Sequence, residues 1–262
     1  MTAQDLITSL DLPGGCRVDQ RVPKKMLIDN GASTASDKRQ INEGIEEIQW
    51  VAVLKPNTIG ISAYRDEQRE YTEIAVLVVL LRGTSEKPVQ SARLGELVHR
   101  AVPYPVILLL EAKQSVVLSL GHKRHAQNET GKAVLDDGVV SIVLPDDAPS
   151  PSMLQAFMHG LALTRQSRTN LFALYDGLVS GVEALQAAKL TGLFERASSP
   201  EEVAARRLGL VACQHLKMHV ARVRAQASKE KQLSRKVALN LELKRLEAAL
   251  AAALTGLSGR AP

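Results

Sequence analysis

Glu111 and Lys113, separated by a single alanine, directly follow an apolar run near the middle of the chain. At the end of a strand, an acid and a lysine at this spacing are typical of metal-dependent nucleases, where the carboxylate holds a divalent cation and the lysine orients water. A second carboxylate is then required on a neighbouring strand, and Glu73 or Asp66 could supply it. The competing interpretation is that residues 111–114 form the polar turn of a β-hairpin.

Histidine and cysteine occur at metal-ligand spacing in one helical stretch, where Cys213, His215 and His219 lie within about two turns. Cys213 falls on an apolar stripe of that helix, however, whereas His215 points away from it. His122 and His125 form a second pair, and the sequence offers no third ligand close to them. We therefore predict solvated histidines and no metal site.

The glycine patterns that cradle nucleotide phosphates do not occur, since the sequence contains neither GxxxxGK[ST] nor GxGxxG. Serine, histidine and an acid do not meet in a recognisable nucleophile elbow either. We therefore expect no cofactor. The sequence favours a non-catalytic protein, with the nuclease built on Glu111 and Lys113 as the open alternative.

The C-terminal segment, residues 211–257, has the composition of a long helix and is free of glycine and proline as far as residue 255. A heptad seam runs along its second half: Leu239, Leu243, Leu246, Leu250, Ala253 and Leu257. An earlier seam has a different heptad phase: Cys213, Leu216, Val220, Val223 and Ala227. The phase break predicts either a stutter in one long helix or the corner of a helical hairpin.

The same segment concentrates the positive charge of the chain. From Arg206 onward there are 12 lysine and arginine residues against 3 acidic ones, although the whole chain carries only +5. Phosphate contact along a helix is one interpretation, and the alternatives are a solvated face that keeps the arm soluble or a surface for an acidic partner. The candidate nucleic-acid or partner-binding residues are Lys229, Lys231, Gln232, Arg235, Lys236, Asn240, Leu243 and Leu246.

The predicted strands and helices along the chain indicate an α+β protein. We expect a mixed sheet of five or six strands over residues 11–144, followed by a linker rich in proline and aspartate and an all-helical region. This gives a sheet domain over residues 1–150 and a helical region over residues 151–262 that ends in a basic coiled-coil arm. The predicted strands are 48–54 and 58–64 as a hairpin, 74–81 in the centre of the sheet, 106–110 and 115–120 as a second hairpin, and 139–144.

Predicted helices surround these strands. A short amphipathic helix carries Leu6, Ile7 and Leu10, Asp37 caps a second helix, and a third covers residues 91–102. Residues 121–138 are predicted to be irregular. After the linker, helices are expected over residues 153–163, over 169–194 and from residue 200, where Ser199 and Pro200 form a helix start.

The run KEKQLSRKVALNLELKRLEAAL, residues 229–250, resembles the closing segment of a bacterial family catalogued as domain of unknown function four-three-nine-one. Shorter matches are RVPKK at residues 21–25, the surroundings of Trp50, the triplet PYP at residues 103–105, and residues 171–175. Members of that family are typically encoded beside helicases and DNA methyltransferases in restriction and phage-defence islands. The resemblance therefore implies a context and a protein partner of that kind, and it implies no reaction.

We therefore expect an accessory or scaffold subunit of a restriction-like or phage-defence complex that docks through its C-terminal arm. The alternatives are the metal-dependent nuclease and a sequence-tolerant DNA-binding adaptor, and the partner could equally be a second copy of the chain. The arm either docks outward or folds back on residues 213–227. No apolar run reaches the 18–20 residues of a membrane span, and two distant cysteines, Cys16 and Cys213, suggest the cytoplasm.

Overall fold

A mixed β-sheet of six strands organises the first part of the chain, and the α+β class predicted from the sequence is confirmed. The structure is a computed structural model that describes residues 1–82, 88–113, 115–127 and 133–258, with the backbone alone at residues 88–90 and 137. The sheet strands are β1 (Arg17–Arg21), β2 (Ile45–Leu54), β5 (Ile74–Leu81), β6 (Val106–Glu111), β7 (Val116–His125) and β8 (Ala133–Leu144). A separate two-stranded ribbon contains β3 (Tyr64–Arg65) and β4 (Glu70–Tyr71).

Helices flank the sheet and then make up the C-terminal part of the described chain. Their bounds are α1 (Ala3–Ser9), α2 (Lys24–Gly31), α3 (Ala35–Gly44), α4 (Pro56–Ile59), α5 (Pro88–Ala101), α6 (Pro151–Gly160), α7 (Leu171–Thr191), α8 (Pro200–Lys229) and α9 (Leu233–Leu257). None of the described helices is long and apolar enough to cross a membrane.

The strand order is β1-β2-β5-β6-β7-β8, which places β5 and β6 in the middle. These two strands pair in parallel, with α5 between them in the chain, and the other neighbours pair antiparallel. A strand covered on both faces needs apolar residues at successive positions, and β5 has the sequence IAVLVVLL. Its predicted central place is therefore confirmed, as is the hairpin of β6 and β7.

Two secondary-structure predictions, one of a strand and one of an irregular segment, are wrong. Residues 58–64 do not pair with residues 48–54, because Pro56 begins the short helix α4 and the Lys55 N–H donates to the Thr58 hydroxyl at 2.9 Å. Within the segment predicted to be irregular, residues 121–125 belong to β7 and residues 133–138 to β8, whereas residues 128–132 lie outside the described residues. In both cases the polar residues are part of a regular element, a short helix closed by local hydrogen bonds at Pro56 and a strand extension at residues 121–125.

The sequence predicted that Asp37 caps α3, and this prediction is wrong. The cap is Thr34, whose hydroxyl accepts the Asp37 N–H at 3.1 Å. The Asp37 carboxylate is buried and pairs with the Arg93 guanidinium at 2.7 Å. That hydrogen bond is the largest of the effects that lower the pKa of the carboxyl group. The pair links α3 to α5 on one face of the sheet.

Two tyrosine hydroxyls satisfy backbone groups where the register of β7 and β8 shifts, between Leu120 and His122. The Tyr175 hydroxyl accepts the Gly121 N–H and donates to the Val106 carbonyl, each at 2.8 Å. The second hydroxyl, on Tyr71, accepts the Lys123 N–H at 3.3 Å and lies 2.6 Å from His122 Nδ1. Buried peptide groups at a register shift would otherwise lack partners, so these tyrosines stabilise the irregular pairing.

Gly31→Ala is expected to lower the free energy of unfolding by about 1–3 kcal/mol, because α2 and α5 touch at this glycine. A methyl group there would lie 2.7 Å from the Leu97 carbonyl oxygen and 2.8 Å from Ala101 Cβ. Denaturant unfolding measures the loss. Gly15→Ala is the matched control, since its methyl group would meet nothing within 4 Å; equal stability of the two variants would contradict the close contact.

The described chain forms two compact units, Met1–Val182 and Glu183–Pro262. The first unit contains the sheet, α6 and the beginning of α7. The second contains the end of α7 together with α8 and α9. The boundary predicted from composition, between residues 150 and 151, stays a prediction; in the structure Ser150 caps α6 and Pro151 is its first residue.

Candidate functional site

The C-terminal arm is a helical hairpin, so the structure decides between the two alternatives left open by the heptad phase break. Helix α8 ends at Lys229 and α9 begins at Leu233, with Glu230, Lys231 and Gln232 as the corner. The Glu230 carboxylate accepts the Gln232 N–H at 2.8 Å and stabilises this turn. At the other end of α8 the predicted start is confirmed, because the Ser199 hydroxyl accepts the Glu202 N–H.

The two apolar seams face each other inside the hairpin. Cys213, Val220, Val223 and Ala227 of α8 are buried, and the leucines of the α9 seam are partly buried. The helices approach closely near their open ends, where a methyl group on Gly209 would lie 3.0 Å from Leu257 Cδ1. Leu243 and Leu246, predicted to contact a partner, therefore contribute to the interior of the hairpin.

Charged pairs join the two helices along their edges. Arg224 Nη2 lies 2.7 Å from Glu247 Oε1, and His219 Nε2 lies 3.5 Å from Glu242 Oε1. These contacts are largely exposed, so each adds little stability, but together they fix the register of the antiparallel pair. They also use two of the three acidic residues that the segment contains after Arg206.

Leu243→Asp combined with Leu246→Asp is expected to open the hairpin and cost about 4 kcal/mol or more. The reason is that both leucines are partly buried on the seam face of α9, where two carboxylates would lose the apolar contacts of the hairpin. The melting temperature and the helical circular dichroism should both fall. Val237→Asp with Leu241→Asp is the matched control on the exposed face of the same helix; an equal loss in both double variants would contradict the packing described.

A cluster of four cations surrounds the corner of the hairpin, and we call it the basic tip: Lys229, Lys231, Arg235 and Lys236. All four side chains are exposed, and among the described residues none of them has a carboxylate within 4 Å. The predicted residues Gln232 and Asn240 are exposed on the same part of the hairpin. The structure thus brings together all six of the predicted polar binding residues.

Large apolar side chains are exposed on the outer faces of the hairpin, which sequence reasoning missed. One stripe lies on α9 (Leu233, Val237, Leu241) and another on α8 (Leu208, Val211, Met218), and these six side chains are 51–75% exposed. Residues three, four or seven positions apart share one face of a helix, so each set lies on one face. The stripe on α9 is continuous, whereas on α8 seven positions separate Val211 from Met218. The signal was present in the sequence, but the inward heptad seams dominated its pattern.

The predicted nuclease residues are not brought together. The pairing of Leu80 with Glu111 places Glu111 at the end of β5, whereas Glu73 precedes the first residue of that strand. Eight residues of extended chain separate the two ends by about 25 Å, too far for one cation. Glu73 instead pairs with Lys55 at 2.8 Å, and Glu111 accepts the Ala3 N–H at 3.2 Å.

The alternative carboxylate, Asp66, is also engaged. It accepts the Tyr64 hydroxyl at 2.6 Å and two backbone N–H groups in the turn between β3 and β4. Lys113 is exposed and lies just after β6. Within the described ranges, no three histidine, cysteine, aspartate or glutamate side chains lie together in a way that could hold a metal ion.

The histidines predicted as pairs lie in separate surroundings and make different contacts. His122 lies between the Tyr71 hydroxyl and Asp176, whose Oδ1 is 3.2 Å from Nε2. Tyr71 is fully buried, so no substrate can reach the phenol, and the chain of contacts links β4, β7 and α7. His215 is exposed on α8, whereas Cys213 is buried on the seam, where burial raises the pKa of its thiol.

A buried lysine and a buried histidine also escaped sequence reasoning. Lys123 Nζ donates to the carbonyl groups of His99 and of Val102, the latter at 2.9 Å, and so caps the end of α5 from the sheet. Burial lowers the pKa of Lys123 to about 8 and that of His99 to about 3. Both side chains are buried, so we assign both to the stability of the fold.

Fold and surface together define a class: an α+β sheet protein that ends in a helical hairpin with a basic corner and apolar outer faces. The chain belongs to the family described as Domain of unknown function (DUF4391), whose model matches residues 10–250. The resemblance of residues 229–250 to that family is thereby confirmed. No curated protein and no solved structure matches the chain.

Proposed function

We propose that this chain is a non-catalytic, cytoplasmic accessory protein that docks on an acidic protein partner through its hairpin. The observation that supports this most is that the basic tip, whose four cations have no carboxylate partner among the described residues, lies beside the exposed α9 stripe of Leu233, Val237 and Leu241. Burial of such side chains by a partner stabilises a complex, while the cations speed association and select the partner. The proposed partner is a helicase or DNA methyltransferase of the same restriction-like or phage-defence system.

Nucleic acid is the second candidate, and the basic tip is the feature that favours it. Four exposed cations around one corner, without a carboxylate partner in the described part of the chain, suit phosphate contacts that release counterions. The outer stripes do not suit this role, because a duplex surface presents phosphates and base edges and leaves six apolar side chains uncovered. The chain has only eight aromatic residues, so stacking on single strands gains little support either.

A second copy of the chain is less suited than a different protein. Two hairpins placed together would each bring the net charge of +9 carried by the residues from Arg206 onward. Like charges across an interface oppose association, whereas an acidic partner gains from the same charges. The apolar stripes alone would accept either occupant, so the charge decides in favour of an acidic surface.

Co-expression with the proposed partner, a helicase or a DNA methyltransferase, tests the proposal. We expect the complex to survive nuclease treatment and to be lost when Leu233, Val237 and Leu241 are all changed to glutamine, which keeps helix propensity. Removing about 3 kcal/mol of apolar burial should weaken the complex roughly 100-fold. Leu193→Gln is the matched control, because this leucine is exposed but lies outside the hairpin. A complex that nuclease treatment abolishes would favour the DNA-binding adaptor instead.

A further inference from the structure

A cleft of about 450 Å³ opens on the face of the sheet that α2 and α5 cover. All of its lining residues belong to the first unit, far along the chain from the hairpin. Its floor consists of aliphatic side chains of β2 and β5 that are almost fully buried: Ile48, Ala75 and Leu77. A volume of this size is within the range of about 300–1,000 Å³ that is usual for small-molecule sites.

Two aromatic rings form one side of the cleft. Trp50 and Tyr104 are each only partly buried, and their ring centroids lie 6.1 Å apart with an angle of 35° between the planes. The indole N–H already donates to the Ala52 carbonyl at 3.0 Å, so the ring presents its apolar surface to the cleft. Burial raises the pKa of the Tyr104 phenol, which therefore stays neutral. A flat apolar molecule can pack against this pair.

Arg100 is the one charged side chain among the described residues that line the cleft. Its Nη1 lies 3.7 Å from Glu96 Oε1, a long contact, while the other oxygen of Glu96 pairs with Arg93 at 2.8 Å. Glu73, the acid whose charge reaches the Tyr104 hydroxyl, is itself paired with Lys55 at 2.8 Å. Arg100 therefore lines the cleft with a guanidinium whose one carboxylate contact among the described residues is a long one, which suits an anionic group.

From this combination we infer that the cleft binds a small aromatic monoanion, a carboxylate or a sulfonate. The ring of the ligand lies on the aliphatic floor beside Trp50 and Tyr104, and its acid group accepts hydrogen bonds from Arg100. The aromatic wall selects a planar body and the single cation selects one negative charge. This site is independent of the hairpin and of the function proposed for it.

The fluorescence of Trp50, the only tryptophan of the chain, reports on this site directly. The probe is 1-anilinonaphthalene-8-sulfonate, an aromatic monoanion, titrated into the intact protein. We expect saturable quenching of Trp50 with energy transfer to the probe. Arg100→Gln should weaken binding at least tenfold, whereas Arg39→Gln, an exposed arginine outside the cleft, should leave it unchanged.

A matched ligand separates charge from apolar contact. N-phenyl-1-naphthylamine has the same rings without the sulfonate, so it should bind more weakly than the anion and show no preference between the parent chain and Arg100→Gln. Ala75→Leu, which narrows the floor, should weaken both ligands. The inference is overturned if Trp50 is not quenched saturably, or if Arg100→Gln binds the sulfonate as tightly as the parent chain does while still melting cooperatively.

Discussion

Leu108→Asp is expected to prevent stable folding of the sheet unit, with a loss of at least about 5 kcal/mol. Leu108 is fully buried in β6, opposite Leu77 of β5 and Ser119 of β7, and belongs to the core between the sheet and α5. A carboxylate there has neither water nor a cation, and the packing of the leucine is lost as well. Whole domains are stable by only about 5–15 kcal/mol, so little native protein should remain.

Chemical denaturation and circular dichroism measure this effect. Leu241→Asp is the matched control, because the same substitution falls on a side chain that is 57% exposed and should change stability by less than about 1 kcal/mol. A soluble Leu108→Asp protein that unfolds cooperatively at the parent denaturant concentration would show that β6 is not the centre of the core.

Acid should destabilise the protein through His99, and this is the second large effect. His99 is fully buried, its Nε2 lies 3.0 Å from the Ser119 hydroxyl, and its Nδ1 has no partner among the described residues. Burial, with the Lys123 charge as a smaller cause, lowers its pKa from 6.5 to about 3. The unfolded chain therefore takes up a proton below pH 6.5 that the folded chain refuses, and stability falls as the pH falls.

The expected size is about 3 kcal/mol between pH 7 and pH 4. Denaturant unfolding at several pH values should show that His99→Asn lacks this part of the acid sensitivity, even though the variant is less stable at pH 7. Lys123 does not contribute in this window, because its pKa of about 8 leaves it protonated in both states. Identical pH dependence of the parent and the variant would contradict the assignment.

Elements with a local cause were predictable from sequence. The strand IAVLVVLL is apolar at every position, which only a doubly covered strand requires, and it is β5. Ser199 followed by Pro200 and two glutamates marks the start of α8 without reference to the rest of the chain. The basic tip was likewise visible, because charge density along a helix needs no tertiary information.

Features that depend on distant partners were not predictable. The extension of β7 contains Lys123, a residue that is rarely buried, and only the carbonyl groups at the end of α5 make its burial possible. Pro56 suits either a turn or the first residue of a helix, and the sequence does not distinguish them. The separation of Glu73 from Glu111 follows from strand register alone, which the sequence left open.

In the candidate site, the partner of the apolar residues of the hairpin was likewise not predictable from the sequence. The heptad phase break allowed a long helix or a corner, and inward and outward docking of Leu243 and Leu246 were equally open. Their partly buried state inside the hairpin moves the candidate contact surface to the outer stripes, away from the seam. A pattern of apolar residues indicates that a face is buried, but it does not indicate which surface covers it.

The dissociation constant of the purified complex, measured at low and high salt, tests the docking of the hairpin most directly. The chain with glutamine at Leu233, Val237 and Leu241 should bind roughly 100-fold more weakly at both salt concentrations, because apolar burial is not screened. The chain with glutamine at all four residues of the basic tip should bind more weakly at low salt and like the parent at high salt. Unchanged affinity of the stripe variant, with binding that depends on the basic tip and on DNA alone, would contradict the account.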